Sequence, residues 1–148
     1  MSPSLDRPVS RNPLVSDGPP AVQVLIVDDQ PAFRRAARNV VAVLPGFEVA
    51  AEVATGEASV DTADALRPDL VLMDVHLPGI DGIEACRRIV ANARDRAPVI
   101  FLLSTDEAAE YTERVTNCGA TAYLPKAEFG PAALRTAWAT ATASHHAF

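Results

Sequence analysis

Three carboxylates, two hydroxyls and a lysine stand at matching places in this chain, each just past an apolar run. Asp28 and Asp29 follow VQVLIV (22–27), and Asp74 follows LVLM (70–73). Ser104 and Thr105 follow VIFLL (99–103), and Lys126 comes after TAYL (121–124). Taken singly, an aspartate after a strand is most often a turn residue or a helix cap. Their recurrence on what would be one rim is the signal. Clustered carboxylates repel and raise one another's pKa unless a cation sits among them. They offer only oxygen ligands, which suits Mg²⁺, a hard ion that keeps several waters. A divalent cation beside a carboxylate nucleophile, with a lysine and a hydroxyl opposite, is equipment for phosphoryl transfer.

These groups can converge only if the apolar runs are strands of one sheet. A further run, FEVAAEVA (47–54), brings the number of candidate strands to five. Most are continuous rather than alternating, as expected for parallel strands covered on both faces. Helical stripes lie between them. Phe33, Ala37, Val40, Val41 and Leu44 recur at helical spacing before Pro45-Gly46 stops that helix. A weaker segment covers Glu57–Leu66, and Ile83, Cys86, Ile89 and Val90 make the next stripe. Ala108, Tyr111, Val115 and Cys118 make a fourth, with Gly119 placed to end it in a left-handed conformation. Pro131 opens a last helix carrying Leu134 and Trp138. Alternating β and α units predict an α/β, open, doubly wound sheet, whose ligands bind at the carboxyl ends of the strands.

Composition sets outer limits. At 148 residues the chain suits one domain, and its formal net charge of −6 argues against a broad nucleic-acid surface. Twelve of its thirteen basic residues are arginine, and Lys126 is the only lysine. No apolar run is long enough to span a membrane, and the N-terminus lacks a secretory pattern, so a cytoplasmic location is expected. Residues 1–20 are rich in Pro and Ser and are expected to form a disordered tail. The folded unit is expected over 21–143, with a short tail at 144–148. Cys86 and Cys118 have no metal-ligand spacing and read as small buried hydrophobes.

VLIVDDQ, LVLMDVHLPGIDGIEA, VIFLLST and ATAYLPK together resemble the receiver domain of bacterial two-component response regulators. The resemblance covers about residues 21–143 and holds all four blocks in order. It implies a flavodoxin-like (βα)5 fold with strand order 2-1-3-4-5. It implies that Asp74 accepts a phosphoryl group from a sensor histidine kinase. Asp28, Asp29, Asp74 and the backbone carbonyl of His76 would hold Mg²⁺, and Lys126 would pair with the phosphoryl oxygens. Ser104 would be the switch hydroxyl and Thr105 its small neighbour beside the phosphoryl site. Tyr123 would be the aromatic that turns inward with it. The face of the fourth helix, fifth strand and last helix, around Tyr111, Tyr123 and Trp138, would then serve homodimerisation or docking of a downstream protein partner. The resemblance implies a signalling receiver rather than an enzyme; from charge and hydropathy, direct binding to nucleic acid or membrane is not expected.

Plainer readings stand beside these. Tyr123 could be a half-buried strand aromatic, Trp138 suits packing of its helix against the sheet, and Gly79 and Gly82 suit turn and helix-start positions. The His76 imidazole suits Zn²⁺ better than Mg²⁺, so it and Asp106 read as groups flanking the site entrance. His145 and His146 are too few and too terminal for a metal site. One departure from the family pattern is Pro125, which precedes Lys126 where many relatives place proline after the lysine.

Two alternatives carry different functions. A haloacid-dehalogenase-like phosphatase would want its nucleophile in a DxD pattern after the first strand, where this chain has adjacent Asp28-Asp29. A phosphorylation-independent pseudo-receiver would need no acceptor site, yet the acceptor residues are present. The residues after Phe129 are too few for a helix-turn-helix output domain. A stand-alone receiver acting through a protein partner is therefore the expectation, with a truncated chain as the other option.

Overall fold

Continuous apolar runs bury best between two helical layers, and here they do so as five parallel strands. They are β1 (Val22–Val27), β2 (Phe47–Val53), β3 (Leu70–Asp74), β4 (Val99–Ser104) and β5 (Ala122–Pro125). The computed structural model describes residues 20–105 and 117–146. The expected tail before Pro20 therefore lies outside the described residues, as do Asp106, Ala108, Tyr111 and Val115.

The strand order is β2-β1-β3-β4-β5, all pairs parallel, as the family resemblance implies. Every residue of β3 and β4 is buried, whereas the edge strand β2 alternates in exposure over its first half. The register is level at the carboxyl end: Val27 pairs with Met73, Asp74 with Leu103, and Ser104 with Pro125. The residues at these ends, Asp28, Asp74, Ser104 and Lys126, thus leave the sheet at one height.

Helices α1 (Pro31–Ala42), α2 (Gly56–Leu66) and α3 (Gly82–Asn92) and a C-terminal helix (Pro131–His146) complete the layers. Leu25, Val27, Val71, Met73, Ile100 and Leu102 face one way, against Ala63 of α2 and Ile83, Cys86 and Ile89 of α3. Val24, Ile26, Leu70, Leu72, Phe101 and Leu103 face the other way, against Ala37 and Val41 of α1 and Leu134 and Ala141 of the C-terminal helix. The two cores together make a doubly wound sheet.

Local chemistry fixes the helix ends. Thr55 caps α2 by accepting from the Ala58 N–H (3.0 Å), and Asp81 caps α3 by accepting from Glu84 N–H (2.8 Å). Gly119, at φ +95°, follows helical Asn117 and Cys118 and supplies the left-handed terminator. The C-terminal helix meets no Gly or Pro after residue 143 and runs on to His146, so the first three residues of the expected tail are helical instead. Cys86 and Cys118 are both buried with sulfurs 3.5 Å apart, and burial pushes the Cys86 thiol up.

Trp138 takes the plainer of its two expected roles, packing its helix against the sheet, and its place in the expected docking face is corrected. Its ring packs edge-on against Phe47 of β2, centroids 5.9 Å apart, within the core on the α1 side of the sheet. Tyr123 packs against the opposite core. The two aromatics therefore do not share a surface, because Trp138 lies on the inward stripe of its helix with Leu134 and Ala141.

Candidate phosphoacceptor site

Asp28 and Asp29 stand where β1 gives way to α1. Pro31 fixes the first turn of α1, so the chain must leave the strand in two or three residues. Asp28 is 1% exposed, and its Oδ1 accepts from the Gln30 N–H at 2.8 Å, which braces the turn. Arg34, one helical turn on, donates from Nη1 to the Asp28 carbonyl oxygen at 2.6 Å. Asp29 is exposed at the same corner.

Asp74 closes β3 and is 4% exposed. Its Oδ1 accepts from the His76 N–H at 3.3 Å, while the His76 side chain is exposed. The following loop turns sharply into α3. The Gly82 N–H donates to the Val75 carbonyl at 2.8 Å, and a Cβ on Gly82 would overlap the Asp74 carbonyl oxygen. Glycine is thus required for α3 to start against Asp74.

Lys126 follows Pro125, which ends β5 in an extended conformation (φ −64°, ψ 136°), and opens a 3₁₀ turn over Lys126–Glu128. Its ammonium lies 2.6 Å from Asp28 Oδ2 and 3.6 Å from Asp74 Oδ1, with the side chain only 9% exposed. The ring centroid of Phe33 is 4.4 Å from the same nitrogen. Ser104 is fully buried at the end of β4 and Thr105 beside it is exposed. Tyr123 is half-buried on β5, paired in register with Leu102.

The electrostatics follow from this crowding. Burial, and then the neighbouring Asp28 charge, push the Asp74 carboxyl above its ordinary value; Lys126 and His76 offset only part of that. Oxygens of Asp28, Asp29 and Asp74 can all lie within 4.8 Å of one another. Asp28 Oδ2 is buried and accepts no hydrogen bond of good geometry, although the Lys126 ammonium supplies charge to it. An under-satisfied buried carboxylate oxygen within an all-oxygen donor set fits a hard divalent cation.

The structure thus brings together Asp28, Asp29, Asp74, Ser104, Thr105 and Lys126 at the carboxyl edge, near the β1/β3 switch point of the sheet. Asp106 lies outside the described residues. Phe33 and Arg34 were missed as site residues. Phe33 sits on an apolar helical stripe and reads as core, and Arg34 acts on a backbone atom. Their one sequence signal is that both fall in the first turn of the helix that follows Asp28-Asp29.

The family model described as response regulator receiver domain matches residues 24–139. The chain belongs to that family. Over 105 residues this receiver is 33% identical to the transcriptional regulatory protein DegU of Brevibacillus brevis, covering 71% of this chain and 44% of that one. It is 41% identical over 113 residues to protein-glutamate methylesterase/protein-glutamine glutaminase 2 of Anaeromyxobacter dehalogenans (strain 2CP-C), covering 76% of this chain and 32% of that one. The receiver therefore spans less than half the length of these curated relatives. Among solved structures it resembles a two-component response regulator of the LuxR family from Aurantimonas sp. SI85-9A1. That match has TM-score 0.75 and 31% identity, and covers 84% of this chain and 86% of that one. It also resembles the response regulator domain of Thermotoga maritima CheB, with TM-score 0.72 and 25% identity over 82% of this chain and 97% of that one. Among the described residues no helix is long and apolar enough to cross a membrane.

Proposed function

We propose that this receiver takes a phosphoryl group on Asp74 from a sensor histidine kinase in the cytoplasm and signals through a change of surface. The observation that carries this reading is the convergence of Asp28, Asp74 and Lys126, with Lys126 the only lysine of the chain. Asp28, Asp29, Asp74 and the His76 carbonyl would hold Mg²⁺, which when bound neutralises charge on the transferring phosphoryl group.

The side chains divide the remaining work. Asp74 presents a carboxylate oxygen as the attacking group at the rim of a buried sheet, which limits water to one side. Its raised pKa expresses the cost of holding that charge near Asp28, a cost that a cation lifts. Lys126 supports the phosphoryl oxygens from the β5 side. Ser104, with Thr105 beside it, offers the hydroxyl that reaches a phosphorylated Asp74. Tyr123, on the next strand, follows that movement inward. The phosphoryl group favours the conformation in which these groups reach it, and its leverage is the difference in interaction between the two states. The receiver unit is read as residues 21–143. The responding face would include β5 and the outward side of the C-terminal helix and would engage a downstream protein or a second copy; most of the fourth helix expected to share it lies outside the described residues. Signalling rather than turnover of a substrate is the role supported, without direct contact to nucleic acid.

The test is incubation with a small acyl-phosphate donor, with and without Mg²⁺. One phosphoryl group per chain, acquired only with Mg²⁺ and lost in Asp74→Asn, is expected. Catalytic turnover of phosphate esters without a stable adduct would instead favour a phosphatase.

A further inference from the structure

We propose that Phe33 is a positioning residue for Lys126: its ring seats the ammonium beside Asp74 by an attraction that a bound cation does not cancel. The inference rests on the phosphoacceptor reading and adds a residue to it.

Lys126 reaches the site on a flexible four-carbon stem, and its polar neighbours there are Asp28 and Asp74. Both are carboxylates of the candidate cation site. A divalent cation entering that cluster takes up the same negative charge and repels the ammonium, weakening the hold on the lysine just when the site becomes competent. An aromatic face is different. It attracts a cation through its quadrupole, carries no net charge, and competes for no metal ligand position. The Lys126 nitrogen lies 4.4 Å from the Phe33 centroid, within the range of such contacts, and the lysine side chain is only 9% exposed, which strengthens the attraction.

The ring is itself held. Phe33 lies in the first turn of α1, whose start Pro31 fixes, and packs into the core that contains Leu134. Its ring meets Phe129 at 5.8 Å between centroids. Phe129 terminates the 3₁₀ turn that Lys126 begins, its N–H donating to the Lys126 carbonyl at 3.2 Å. Backbone and ammonium of Lys126 are therefore both tied to one aromatic pair. This gives a physical account of how the lysine is aimed although Pro125 precedes it.

Because Lys126 is the only lysine, ¹³C-lysine labelling of the full chain yields a single side-chain spin system that reports the seat directly. The seated lysine is expected to show its ε-methylene protons upfield of free lysine, from the ring current, and to keep that position when Mg²⁺ is added. Phe33→Leu is expected to move the signal to the free position and to slow acyl-phosphate labelling of Asp74 about tenfold. Phe33→Tyr is expected to restore signal and rate together. A wild-type signal at the free-lysine position, or one that leaves the upfield position on Mg²⁺ addition, overturns the proposal even if Phe33→Leu does not fold. So does a folded Phe33→Leu that labels at the wild-type rate. A wild-type chain that takes no phosphoryl group would remove the phosphoacceptor reading, while the lysine signal still decides whether the seat exists.

Discussion

Burial and the charge of Asp28 both disfavour ionised Asp74, so its carboxylate is held at a cost to the fold. The sign of its pH dependence follows. An aspartate whose folded pKa lies above its unfolded value contributes nothing below the ordinary carboxylate range, where both states are protonated. Its penalty grows as pH rises through the folded pKa and is complete above it. Asp74→Asn is therefore expected to melt a few degrees above wild type at neutral pH without divalent cations, with the gap closing as the solution is acidified. Thermal scans across pH check this; a variant no more stable than wild type at neutral pH would contradict it. At this scale the sequence was readable where a polar residue interrupts an apolar pattern, as at Asp28, Asp74 and Lys126. It was silent at Phe33, because an apolar residue at helical spacing reads as core whether or not it also faces a cation.

Elements place these residues, and glycine sets the tightest joint. With α3 starting against the Asp74 carbonyl, Gly82→Ala must displace either the helix or the end of β3. The expected cost is about 1–3 kcal/mol, measured by denaturant unfolding, together with slower labelling of Asp74. A neutral effect would show that the joint yields freely. The strands were legible because β3 and β4 are buried on both faces and carry uninterrupted apolar runs. The C-terminal helix was harder: alanine and threonine fill most of it, and only Leu134, Trp138 and Ala141 reveal its inward side. Its final turn escaped notice since nothing in the sequence marks a stop. The role expected of Tyr111 lies outside the described residues.

Across the whole molecule, one sheet edge gathers groups supplied by four separated loops, so occupation of the site and stability of the fold are linked. A ligand that binds only the folded state at a hundred times its Kd adds about 2.7 kcal/mol, or roughly 5–10 °C in Tm for a domain of this size. Mg²⁺ is expected to raise the Tm in this way, and Asp29→Asn, altering an exposed residue, to abolish most of the rise without unfolding the protein. An equal rise in the variant would separate the cation from the Asp28-Asp29 corner. The topology and the acidic corner could be read from the chain because order and spacing are preserved along it. The relative placement of Trp138 and Tyr123 could not, since opposite faces of a sheet look alike in one dimension. Asp74 alone is proposed to accept the phosphoryl group. Borohydride reduction of the labelled chain converts an acyl-phosphorylated aspartate to homoserine, which peptide mapping can locate. Homoserine at Asp74 and nowhere else is the expected result; homoserine at Asp28 or Asp29, or at no position, would contradict it.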